Sequence, residues 1–222
     1  VSALSKQTDI DAAVQETSEE IVRKLGNNQA DLTVIFLAPQ YREFYDKVPD
    51  LVNRYLKPGM LFGCSGGGII GNGIEVEQQA AFSITCAKMP GVKIQPIYSE
   101  TRELPDQDTS PSVWRQWLNV KIEDQPHFVF LADPFSFRGE EFLAGVDFAY
   151  PNSKKVGGLA SMGLQRQSWA KKRQRFSMYT SERCVKLLLE SLGKRQGLWL
   201  GASAMIEFLR VLKTNLNSFE QF

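Results

Sequence analysis

The residues best placed to do chemistry lie in one segment, GCSGGGIIGNG, from Gly63 to Gly73. Three chemistries fit it loosely. Gly63-Cys64-Ser65-Gly66-Gly67 matches the GxSxG nucleophile elbow, which needs a serine on a strand-to-helix turn, a histidine base and an orienting acid. His127 is the only histidine and opens an expected strand at its amino end, away from Ser65. Gly66, Gly68 and Gly71 match the spacing of a dinucleotide-binding GxGxxG, but that mechanism needs a helix N-terminus at the pyrophosphate. Here Gly71, Gly73 and the β-leaning Ile74-Glu75-Val76 follow instead. No Lys-Ser/Thr closes the loop, which excludes a P-loop. Cys64 with His127 would make a thiol nucleophile, against the commoner role of a buried thiol.

Outside this segment, Glu75 and Glu77 stand two apart, on one side of a strand. They suit acid/base work or, more simply, a solvated face. Asp133-Pro134-Phe135-Ser136-Phe137-Arg138-Gly139 lies between an expected strand and helix. Asp133 and Ser136 suit turn and helix caps, and Arg138 suits pairing with a ligand carboxylate. The run Lys171-Lys172-Arg173-Gln174-Arg175, flanked by Trp169, Phe176 and Tyr179, has the makings of a phosphate contact, although such runs are more often solvated linkers.

The elements that position these groups follow from periodicity. Apolar residues at helical spacing predict a helix over 8–25, capped by Thr8 or Asp9 and stopped at Gly26. Residues 32–38 form a continuous apolar run, a strand buried on both faces. A helix over 40–56, with Phe44, Val48, Leu51, Val52 and Tyr55 on its stripe, leads to a strand at 60–64. That succession is a parallel crossover unit. Strands are expected at 79–88 and 92–99, joined by a tight turn at Met89-Pro90-Gly91. A short helix over 112–118, a strand at 127–132, a helix at 139–149 and a strand at 154–160 complete an α/β domain. Its sheet is expected to be mixed and mostly parallel, with flanking helices. A basic, partly helical C-terminal segment follows.

The chain has 222 residues, 43% apolar and 23% charged, enough to build a core without metal or disulfide. Its net charge of +1 averages two unlike parts: residues 1–164 carry −6 and residues 165–222 carry +7. The cysteines Cys64, Cys86 and Cys184 are odd in number and widely spaced, which argues for thiols in a reducing compartment. The longest uncharged stretch, Pro58 to Ile74, is too short and too broken to span a bilayer. A cytoplasmic location is therefore expected, or an organelle if a targeting segment has been removed.

Three blocks together resemble the FIST N-terminal domain family, the sensory module of F-box and intracellular signal transduction proteins. They are DLTVIFLAP from Asp31 to Pro39, GCSGGGIIGNGIEVE from Gly63 to Glu77, and FLADPF from Phe130 to Phe135. The third is continued by LAGVD from Leu143, Tyr150-Pro151 and VGGLAS from Val156 to Ser161. The resemblance covers residues 8–161. It implies a ligand-sensing α/β domain over residues 1–161, with a basic extension over 162–222. The implied function is binding of an amino acid or similar small metabolite in intracellular signalling, without catalysis or cofactor. The candidate ligand-binding residues are Gly66, Gly67, Gly68, Asn72, Asp133 and Arg138. The expected partners are the small ligand and a signalling protein, with no membrane and with nucleic acid disfavoured. Two other readings stand beside it: a serine hydrolase using Ser65, and an adaptor acting through its basic tail.

Overall fold

Asp9 begins the first helix as the residue spacing requires. Its carboxylate accepts the Ala12 N–H at 2.8 Å, and α1 (Ile10–Leu25) ends where the Gly26 N–H meets the Val22 carbonyl at 3.0 Å. Such caps satisfy backbone groups that the helix leaves unpaired. The computed structural model describes residues 1–26, 28–97, 104–106, 108–132 and 137–160. The expectations that fall on Asp133, on Ser136 and on the tail beyond residue 160 lie outside the described residues.

The central sheet has four strands in the order β1 (Ser2–Ser5), β6 (Phe82–Ala87), β2 (Leu32–Leu37), β3 (Met60–Ser65). β2 and β3 run parallel, with Ile35 opposite Gly63 and Leu37 opposite Ser65. β6 is antiparallel to both β1 and β2, so the sheet is mixed as expected, but two of its three strand pairings are antiparallel and it is not mostly parallel. β2 is buried at every position, and its alternation sends the two sets of side chains to different cores. Ile35 and Leu37 pack with Phe82 and Ile84 against α1 and α2 (Val48–Tyr55). Val34 and Phe36 pack the other way, with Phe62, Cys64, Val129 and Leu131.

That second core joins the central sheet to a parallel pair, β7 (Phe128–Ala132) and β8 (Lys155–Leu159). β7 alternates too. Val129 and Leu131 face the central sheet's core, while Phe128 and Phe130 meet α3 (Pro111–Leu118) and α4 (Gly139–Ala149) in a third cluster around Trp114. The order of layers is helices, sheet, sheet, helices.

Three expectations change. Residues 39–47 form a 3-10 helix, Pro39–Lys47, before α2 begins. Its three-residue turn buries Tyr41 and leaves Phe44 38% exposed, where a continuous α-helix would have buried Phe44. Residues 92–97 form no strand. The turn at Met89-Pro90-Gly91 is there, with the Val92 N–H on the Met89 carbonyl at 3.2 Å, but both edges of β6 are already occupied by β1 and β2. Finally, the glycine segment is not one loop. It contains a hairpin of β4 (Gly68–Gly71) and β5 (Ile74–Glu77).

Asn72 and Gly73 make the two-residue hairpin turn, with φ of 52° and 79°. Positive φ at both positions is what a type I′ turn demands, and Asn-Gly is its favoured pair. Gly73→Ala should therefore destabilise the fold by about 1 kcal/mol, read as a lower denaturant midpoint with an unchanged slope. An unaltered midpoint would contradict this turn geometry.

Candidate functional site

The carboxyl ends of β2 and β3 lie side by side. There the Gly66 N–H donates to the Leu37 carbonyl at 3.1 Å, continuing the ladder one residue past β3. Gly66 is buried, and Gly67 and Gly68 are half-buried. The chain then turns into β4, whose Ile69 packs with Val76 of β5 into the core between the sheets. The Ser83 hydroxyl of β6 donates to the Ile70 carbonyl at 3.0 Å and fixes the hairpin on the central sheet.

Of the six residues expected to bind ligand, Gly66, Gly67 and Gly68 are consecutive at this carboxyl edge. Asn72 is not with them. It sits at the far end of β4, roughly 13 Å along an extended strand from Gly68, and is exposed. Its N–H reaches the Ser2 hydroxyl at 3.4 Å and its side-chain oxygen lies 3.5 Å from Lys24 Nζ. Arg138 occupies the N-cap position of α4, where its guanidinium pairs with Glu141 at 2.6 Å. Asp133 lies outside the described residues.

The other chemistries find less support in this arrangement. Burial pushes the Cys64 thiol up to about 12, so it is a neutral core side chain at neutral pH. Cys86 is pushed up to about 11 by the same cause, and its sulfur lies 3.2 Å from the Thr33 hydroxyl. Iodoacetamide at pH 8 should leave Cys64 and Cys86 unmodified in the native protein and label both after denaturation. Labelling of native Cys64, detected by peptide mass spectrometry, would contradict its burial.

His127 accepts the Lys154 N–H on Nδ1 at 3.0 Å. The neutral ring then carries its proton on Nε2 and has no lone pair left to take one from a serine. Glu75 and Glu77 are exposed on β5, a solvated strand face.

Sequence reasoning passed over Tyr45. Its hydroxyl donates to the Ala38 carbonyl at 3.3 Å and its side chain is hydrogen-bonded to Ser65. The signal was present, because a three-residue turn beginning at Pro39 brings Tyr45 over the end of β2. It was masked by the assumption of a 3.6-residue period.

A separate open hollow of about 350 Å³ is lined by Val22, Leu25, Ala30, Leu56 and Lys57, among others. Ala30 and Lys57 shortly precede β2 and β3, so this hollow lies at the amino ends of the parallel strands. Ligands of open α/β sheets bind at the carboxyl ends, which favours the Gly66–Gly68 edge despite the hollow's volume. No described helix is long and apolar enough to cross a membrane.

A family model, the FIST N domain, matches residues 31–190. The match begins at the approach to β2 and takes in the glycine segment, β7 and β8. It continues beyond residue 161. No curated protein and no solved structure matches the chain at a significant level.

Proposed function

The chain belongs to the FIST N domain family, a family of sensory signal-transduction domains, and from that premise we propose that it binds a small metabolite of the amino-acid class. The site is the carboxyl edge of β2 and β3, shaped by Gly66 and lined by Gly67 and Gly68. One observation carries this reading: the two parallel strands end together at three consecutive glycines, of which only Gly66 is buried. Without side chains, Gly67 and Gly68 let a ligand approach the backbone closely. The Gly66 N–H is already engaged by Leu37, so it holds the edge in shape and does not meet the ligand. Asn72 and Arg138 join the site only if ligand binding changes their present contacts with Lys24 and Glu141.

This is a binding function, and its signal passes to a protein partner. A ligand at 100 times its dissociation constant adds about 2.7 kcal/mol of stability. Thermal unfolding of the full chain with each common amino acid at 10 mM should thus show a clear upward shift for at least one. No shift across the whole set would overturn the reading.

A further inference from the structure

The 3-10 helix Pro39–Lys47 runs directly off the end of β2. With three residues per turn, side chains three apart stand in line. Arg42 and Tyr45 are related in this way. The Tyr45 hydroxyl reaches the Ala38 carbonyl at 3.3 Å, just past the end of β2. The Tyr45 side chain is also hydrogen-bonded to Ser65, the last residue of β3. A single short helix therefore fixes a pair of hydroxyls on the carboxyl ends of both parallel strands. The Arg42 side chain is exposed beside them on the same line.

Burial holds the Tyr45 hydroxyl above the ordinary tyrosine range. The Ser65 hydrogen bond pulls it back down, and the Arg42 charge acts in the same direction. Arg42 is thus within electrostatic reach of the Tyr45 hydroxyl. Arg138, the arginine that sequence patterning favoured, is paired with Glu141 at 2.6 Å.

We infer that Arg42 is the counter-charge for a carboxylate on the bound metabolite, with the Tyr45 hydroxyl positioning Ser65 beside it. The inference rests on the ligand-binding reading above and adds the residues that recognise the ligand's carboxylate. A guanidinium fork matches a carboxylate in two parallel hydrogen bonds. The glycine backbone next to it, Gly66 to Gly68, supplies shape, and the negative charge at this edge is the Glu77 carboxylate, opposite Gly68 on β5.

The test is calorimetric titration of the full-length chain with an amino acid that stabilises it, and with the carboxamide of the same amino acid. The wild type should bind the acid at least tenfold more tightly than the carboxamide. Arg42→Gln should weaken the acid about tenfold to a hundredfold, leave the carboxamide nearly unaffected and so abolish the discrimination. Arg42 is exposed, so this variant should melt within a degree or two of wild type. Arg138→Gln should bind as wild type does. Unchanged acid binding by Arg42→Gln, or a loss seen only in Arg138→Gln, would overturn the assignment while leaving the ligand-binding reading intact. Failure of the wild type to bind any amino acid would instead remove the reading on which it rests.

Discussion

Gly63→Ala lowers the melting temperature by on the order of 10 °C and abolishes stabilisation by ligand. Gly63 lies on β3 directly opposite Ile35 of β2. A Cβ built there would stand 2.0 Å from the Ile35 carbonyl oxygen and 2.6 Å from Ile35 Cγ1. The nearest obstacle is backbone, which no rotamer change can move aside. The two parallel strands must separate locally or β3 must tilt. Either response strains a ladder buried between two apolar cores, at a cost of about 3 kcal/mol or more. For a chain of this length each kcal/mol corresponds to about 2–4 °C. The displacement also acts two residues before Ser65 and three before Gly66, so it moves the proposed site along with the strand. A variant that melts within 2 °C of wild type would mean that β2 and β3 are not in this register.

Trp114→Ala is the second large effect, and it acts on the opposite side of the molecule. Trp114 is fully buried. It meets Trp117 edge-on, with ring centroids 5.8 Å apart, and belongs to the cluster that seals Phe128 and Phe130 of β7 beneath α3 and α4. A Cβ on Gly145 of α4 would come within 2.1 Å of the Trp114 ring, so α4 lies directly on the indole. Removing the side chain leaves a void that two helices and a strand cannot close together, and large-to-alanine changes of this kind cost about 3–5 kcal/mol. The expected result is a fall in melting temperature on the order of 10 °C. Ligand stabilisation should persist below the new midpoint, because the carboxyl edge of β2 and β3 borders the other core. A fall under 3 °C would contradict the packing described for α3 and α4.

The parts legible in the sequence were those whose local signal agreed with their tertiary setting. Asp9 before an apolar helical stripe fixed the start of α1, and the unbroken LTVIFL of β2 announced a strand covered on both faces. β1 escaped notice because Ser2–Ser5 is four residues long and acquires its strand character only by pairing with β6. The segment 92–97 failed in the opposite sense. Its alternation suited a strand, but whether an edge is free to receive one depends on partners distant in sequence. The β4–β5 hairpin was written plainly in Asn72-Gly73. The glycines before that pair also satisfy dinucleotide-loop and nucleophile-elbow spacing, which competes with the hairpin signal.

The candidate site divided along similar lines. Gly66, Gly67 and Gly68 were legible because they follow a buried strand directly. Asn72 seemed adjacent only because the segment looked like a single loop, and β4 carries it away from the glycines. Arg138 looked like a ligand partner until Glu141, one helical turn further on, took its charge. Arg42 and Tyr45 depend on a 3-10 turn that apolar periodicity does not distinguish from an α-helix.

The most direct test of the account follows the backbone amide signals of Gly66, Gly67 and Gly68 by NMR during titration with a stabilising amino acid. Saturable shifts are expected at these three residues, with little change around Val22, Leu25 and Lys57. Shifts confined to the hollow formed by those last residues, with the three glycines unmoved, would contradict it.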